Sequence, residues 1–171
     1  INRGNIPAIF GELITLIEGA KRIGNSEALT LTLPLSDDDF GVPKNLYIIG
    51  TMNTADRSVE TLDSALRRRF DFVAKYPAAN HPLIKSVDGI NLQSLLSKMN
   101  ERIKVLKGED YQIGHSYFLN IESKEELNDA FRLKIIPLLN EYFFDDLSSI
   151  QMILGKTFVK SSSNSEVKFI G

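Results

Sequence analysis

Residues 46–76 read L-Y-I-I-G-T-M-N-T-A-D-R-S-V-E-T-L-D-S-A-L-R-R-R-F-D-F-V-A-K-Y, and this stretch decides the fold. The run Leu46-Tyr47-Ile48-Ile49 is continuously apolar, the pattern of a strand covered on both faces of a mostly parallel sheet. Small polar side chains follow at once: Asn53, Thr54 and Asp56. In open α/β sheets ligands sit beyond the carboxyl ends of strands, so this cluster is placed to touch one. Ser58 offers a helix N-cap, with Glu60 and Asp63 early in the helix and Arg67, Arg68 and Arg69 at its end, charges that suit the helix dipole. Phe70 to Tyr76 reads as a second strand, stopped by Pro77.

Outward from this stretch, composition narrows the classes. The chain has 171 residues and 43% hydrophobic content, enough for one domain or for a small lobe beside part of a larger one. A net charge of −2 gives no global basic field for nucleic acid. With no Cys there is neither a disulfide framework nor a thiolate zinc site, and two His make a weak case for a metal. No metal site is expected. The absence of Cys fits a cytoplasmic setting, and neither an apolar run near membrane-spanning length nor a secretory-type beginning is present.

Asn5 is placed to cap a helix with Pro7 in its first turn. Ile6, Ile9, Phe10, Leu13, Ile14 and Ile17 share one face, and Gly19 or Gly24 ends it. Leu29 to Leu35 alternates as an edge strand, and the turn from Ser36 to Gly41 carries Asp37, Asp38 and Asp39, read as solvated rather than as cation ligands. Beyond Pro77 the pattern is helical. Asn91 opens a helix with Leu92, Leu95, Leu96, Met99, Ile103 and Leu106 inward, ended at Gly108. Ser123 with Glu126 makes a capping box, Pro137 forces a kink or a new helix, and a short helix ends near Gly155. The tail from Lys156 reads as a hairpin or a loose end.

Several motifs together carry a family resemblance. I-N-R-G-N-I (1–6), M-N-T-A-D-R-S (52–58), L-R-R-R-F (66–70), I-G-H-S-Y-F (113–118) and E-Y-F-F-D-D (141–146) closely resemble the McrB-type branch of the AAA+ NTPases, in that family's order. The resemblance covers Ile1 to about Gly155. It implies an α/β fold: the C-terminal part of an AAA+ P-loop NTPase sheet domain over 1–78, a helical lid over 79–155 and a tail over 156–171. It further implies GTP (or ATP) and Mg²⁺ in the full-length protein, a hexameric ring, an McrC-like nuclease subunit as partner, and DNA bound through other domains.

The resemblance also assigns residues. Asn53 falls at sensor 1, where a neutral amide orients the γ-phosphate and the attacking water; the plain alternative is a strand-end Asn closing a turn. Arg68, then Arg69 and last Arg67, are candidates for the finger that reaches a neighbouring subunit's site; alone, they read as a solvated helix end. Asn2 and Arg3 fall at the mouth of the nucleotide site. Asp56 resembles part of an N-K-x-D guanine reader lacking its Lys, and the structural reading is preferred, in which Asp56 or Ser58 caps the next helix and fixes the approach of Asn53. His115 and Ser116 are candidates to touch nucleotide, against a His packed between aromatics and bonded to backbone. His81 has no assigned role. No sensor 2 Arg lies in residues 111–118, and neither a phosphate loop nor the Asp-Glu pair of the family occurs in the chain. The expectation is therefore a C-terminal part of a larger NTPase, inactive by itself.

Overall fold

The computed structural model describes residues 4–56, 64–156, 158–161 and 167–169. The chain divides into two compact units, Ile1–Ala74 and Lys75–Gly171. The expected positions Asn2, Arg3, Ser58, Glu60 and Asp63 lie outside the described residues.

In the first unit α1 spans Ile6–Phe10, and the Asn5 side chain accepts from the Ala8 N–H at 3.0 Å, so the expected cap forms. The single long helix does not. Gly11 takes φ +53°, a left-handed conformation that ends α1, and the chain continues as a tighter three-residue-per-turn helix over Gly11–Ile17. The change of period rotates the inward face: Ile6, Leu16 and Ile17 are buried, whereas Ile9 of the expected stripe is 68% exposed. The edge strand shortens to β1 (Leu31–Thr32), paired antiparallel with β2 (Asp39–Phe40). The aspartates between and within these strands are turn chemistry. Asp37 adopts φ +57°, Ser36 Oγ accepts from the Asp38 N–H at 3.4 Å, and Asp39 accepts from the Thr32 hydroxyl at 3.1 Å.

The two strands expected at Leu46–Ile49 and Phe70–Tyr76 are not present as strands. Leu46 donates its N–H to Pro43 O at 3.2 Å in a local turn, and its carbonyl accepts from Arg22 Nη1. A turn and a guanidinium thus take the main-chain groups of Leu46 that a sheet neighbour would otherwise hold. Tyr47 and Ile49 are 86% and 91% exposed. The run was expected as a strand covered on both faces, but among the described residues no strand pairs with it and most of its side chains are left uncovered, so no sheet forms there. The same holds for Phe72 and Val73, both exposed. Helix α2 (Ser64–Arg67) follows, with Leu66 buried.

The second unit carries most of the apolar core. A short hairpin of β3 (Ser86–Val87) and β4 (Ile90–Asn91) leads into α3 (Leu92–Leu106), whose N-cap Asn91 accepts from the Ser94 N–H at 2.9 Å. Leu92, Leu96, Met99 and Ile103 are buried as their spacing predicts, while Leu95 is half-buried and Leu106 is 38% exposed. Gly108 at φ +117° releases the chain from α3. Helix α4 (Lys124–Ala130) is capped by Ser123, which accepts from the Glu126 N–H at 3.1 Å, while Glu126 reaches back to the Glu122 N–H at 2.8 Å. That is the capping box displaced by one residue. The Pro137 discontinuity is resolved by a wide π-type turn over Phe131–Ile135, after which Pro137 sits in the first turn of α5 (Ile136–Phe143), where its missing N–H costs little. Phe144 and Asp145 adopt left-handed φ of 52° and 59° to reverse the chain into α6 (Leu147–Leu154), capped by Asp146. The tail forms the hairpin of β5 (Val159–Ser161) and β6 (Val167–Phe169).

Asn100 is the buried polar side chain among the described residues, 6% exposed. It donates Nδ2–H to Ile113 O at 3.0 Å and accepts from the Ile113 N–H at 2.7 Å. Asn100→Ala would leave both Ile113 groups without partners, so a loss of about 2–4 kcal/mol is expected. Asn91→Ala, at a solvated cap, is expected to cost about 1 kcal/mol. Urea titration followed by helical circular dichroism distinguishes the two.

Candidate functional site

Asn53 lies on an exposed turn rather than at a strand tip. Its Oδ1 accepts from the Ala55 N–H at 3.1 Å, and its carbonyl from the Asp56 N–H at 3.4 Å, so the N-T-A-D stretch is an Asx turn. The carboxamide is held in an exposed turn and not sealed in the core. Asp56 is half-buried; the helix start it was expected to cap lies outside the described residues.

The three arginines take three directions because successive residues of a helix end point about a third of a turn apart. Arg67 lies over the Phe72 ring, 5.3 Å from its centroid. Arg69 forms an ion pair with Glu18 at 2.6 Å, with side chains 13% and 39% exposed. Arg68 holds its main-chain N–H on Ser64 O at 3.2 Å, and its side chain is exposed. Among the described residues its guanidinium takes no partner.

His115 and Ser116 belong to the other unit, in a short turn over His115–Phe118. Ser116 is exposed. His115 is half-buried, its Nδ1 accepts from the Ala78 N–H at 3.2 Å, and its ring stacks on His81 with centroids 5.4 Å apart. Backbone bonding of His115 was one of the two expected readings; the stacked partner was not expected.

Nearby, Glu109 accepts from Lys104 and from the Tyr76 hydroxyl, the latter at 3.0 Å. The Lys104 hydrogen bond first, then that of Tyr76, holds the Glu109 carboxyl below its ordinary value of 4.5. Sequence reasoning missed Arg22, which joins Ile17 O and Leu46 O, and Asn100. Asn100 carried a readable signal: a polar residue four positions after Leu96 and three before Ile103, on a face otherwise apolar. Arg22 carried none, since its partners are main-chain carbonyls. Among the described residues no group of three or more His, Asp or Glu gathers as metal ligands, and no helix is long and apolar enough to cross a membrane.

Known families account for both units. Residues 1–70 match the family model described as an AAA domain of the dynein-related subfamily, and residues 91–151 match the one described as the McrB alpha-helical lid domain. The fold is therefore that of an AAA+ module with a helical lid. The chain is 41% identical over 165 residues to the Escherichia coli K12 "Type IV methyl-directed restriction enzyme EcoKMcrB subunit", covering 85% of this chain and 36% of that protein. It is 29% identical over 178 residues to the Bacillus subtilis 168 "Type II restriction enzyme BsuMI component YdiS", covering 92% of this chain and 51% of that protein. The chain belongs to the McrB-like AAA+ proteins, and spans about a third to a half of the length of these relatives.

Two outcomes follow from the geometry. Arg69→Ala is expected to lower the stability of the first unit by about 1–3 kcal/mol, since a half-buried charged hydrogen bond is lost, whereas Arg68→Ala should stay within about 0.5 kcal/mol of wild type; chemical denaturation of both variants checks this. For Glu109, the folded-state value is depressed, so its stabilisation is present above the unfolded-state value and lost as pH falls through the lower folded one. Glu109→Gln should flatten the stability loss between about pH 5 and pH 3, as read by denaturation at each pH.

Proposed function

We propose that this chain supplies the sensor, the finger and the lid of a nucleotide-hydrolysing motor in an McrB-like restriction system. In this reading a ring of subunits, six in number, hydrolyses GTP at subunit interfaces with Mg²⁺. It acts with an McrC-like nuclease subunit, and DNA is engaged through other domains. The observation that carries it is Arg68: at the end of α2, with Arg67 over an aromatic ring and Arg69 on Glu18, Arg68 alone extends an uncommitted guanidinium into solvent among the described residues. A bound triphosphate would supply the bond to be cleaved. Arg68 would neutralise charge building on the phosphoryl oxygens of a neighbouring subunit's nucleotide, with Arg69 holding the helix end in place. Asn53 fits the orienting role, because an exposed amide whose oxygen is fixed by Ala55 can hydrogen-bond a phosphate oxygen or a water without bringing a charge. Asp56 supports that turn and Ser116 is exposed for a lid contact, while Asn2 and Arg3, outside the described residues, are assigned to the nucleotide site by resemblance alone. Among the described residues no three His, Asp or Glu side chains gather to hold Mg²⁺, and in this reading the groups that hold it lie elsewhere in the full-length protein.

A second reading, an ATP-dependent remodelling protein of the dynein-like or MoxR-like kind, is favoured by the dynein-related subfamily of the matching AAA model, with a non-catalytic AAA+ scaffold as the other alternative. Turnover of each nucleotide by the full-length protein, with and without a nuclease subunit, separates the two. In the same protein Arg68→Ala should reduce kcat by about 10³ or more while nucleotide affinity changes little, because finger contacts strengthen in the transition state. Equal losses in kcat and affinity would refute the finger role. The 171-residue chain alone, lacking a phosphate loop, is expected to turn over neither nucleotide.

A further inference from the structure

Residues 75–84 lead into the helical unit without regular secondary structure, yet hydrogen bonds fasten them to it at several points. Tyr76 donates to Glu109 at 3.0 Å, Ala78 N–H to His115 Nδ1 at 3.2 Å, Gln93 Nε2 to Ile84 O at 3.1 Å, and Asn120 N–H to Leu83 O at 3.2 Å. One of these fastenings differs in kind, because its acceptor is an imidazole nitrogen. The Leu83 N–H likewise donates to His81 Nδ1 at 3.2 Å. A main-chain N–H can only donate, so Nδ1 is the acceptor in both bonds, and each bond requires that nitrogen to carry a lone pair rather than a proton. The rings stack with centroids 5.4 Å apart and planes 20° from parallel.

We propose that His115 is a positioning residue acting through Ala78, and that the His81–His115 stack makes the attachment of residues 75–84 a proton-sensitive latch. Protonation places an N–H at Nδ1 against a main-chain N–H, turning a hydrogen bond into a repulsion. Protonation of both rings also sets two cations face to face. His81 is an ionisable side chain stacked on His115, and among the described residues neither ring carries an ion pair that would offset this charge. The neighbouring fastening, Glu109 between Lys104 and Tyr76, stays charged through mildly acidic pH, because its carboxyl is held below its ordinary value. The latch is thus set by the imidazoles alone. It goes beyond the nucleotide reading and does not depend on it, since it concerns Nδ1 and a main-chain amide within the helical unit.

Amide hydrogen exchange on the 171-residue chain tests it, read as protection after correction for the intrinsic pH dependence of exchange. Between about pH 7.5 and pH 5.5, protection of the Ala78 amide should fall by about tenfold while the amides of Met99 and Ile103 in α3 keep theirs. His115→Asn places a non-titrating acceptor where Nδ1 lies and should keep Ala78 protected at both pH values. His115→Gln places its acceptor at the Nε2 position and should leave Ala78 unprotected at both. Wild-type protection of Ala78 that does not change with pH would overturn the proposal, as would equal protection in the two variants. Nucleotide binding by the full-length protein that Gln restores and Asn does not would instead assign His115 to nucleotide contact through Nε2. If either variant also loosens the α3 amides, the wild-type pH series decides alone.

Discussion

Two hydrogen bonds of one carboxamide hold the helical unit together at its least regular point. Between the end of α3 and the start of α4 the chain runs through two single tight helical turns, Glu109–Tyr111 and His115–Phe118, and extended residues, and neither turn reaches the main chain of Ile113. Asn100 offers Ile113 both a donor and an acceptor, as a neighbouring strand would, and does so from the buried face of α3. Ile113 is thereby fixed with its side chain fully buried, and Tyr111 and Phe118 on either side are buried with it. Burial of a polar amide is costly unless every group finds a partner, so this arrangement tolerates neither a shorter side chain nor a charged one. The position of His115, two residues after Ile113, follows from it.

What the sequence made legible depends on whether the signal was local. The caps at Asn5, Asn91 and Ser123 were readable because each bond closes within about four residues, and all three form. The inward face of α3 was readable because 3.6-residue periodicity persists through four turns. The first helix failed where a single glycine changed the period, which a stripe of apolar residues cannot announce. Fastenings such as Ala78 to His115 and Tyr76 to Glu109 join residues more than thirty positions apart, and nothing in either segment alone marks the partner.

The arginines illustrate how neighbours assign a role. By composition Arg67, Arg68 and Arg69 are equivalent, and helical geometry says only that they cannot share one partner. Phe72 takes the first and Glu18 the third, so the middle guanidinium is distinguished by what its neighbours do rather than by any property of its own. Glu18 sits just past the segment whose period Gly11 changed. The same departure from a regular helix that displaced the apolar stripe therefore also sets where the acid that claims Arg69 emerges.

The apolar run at Leu46–Ile49 marks the other boundary of legibility. Continuous hydrophobicity states that both faces of a segment are to be covered; it does not state by what, and hydrogen bonding to a neighbour is a separate requirement. Here Arg22 and Pro43 take the main-chain groups of Leu46 while Tyr47 and Ile49 stay exposed. Burying those side chains requires surface from elsewhere, and pairing the segment requires Arg22 to release the Leu46 carbonyl. The two demands are coupled: a strand arriving beside Leu46 would replace one guanidinium bond with a ladder and free Arg22 to hold Ile17 O alone, which it already does through Nε and Nη2. A side chain that bridges two carbonyls can give up one at modest cost, so the exposed run is anchored at Leu46 without being locked away from a partner.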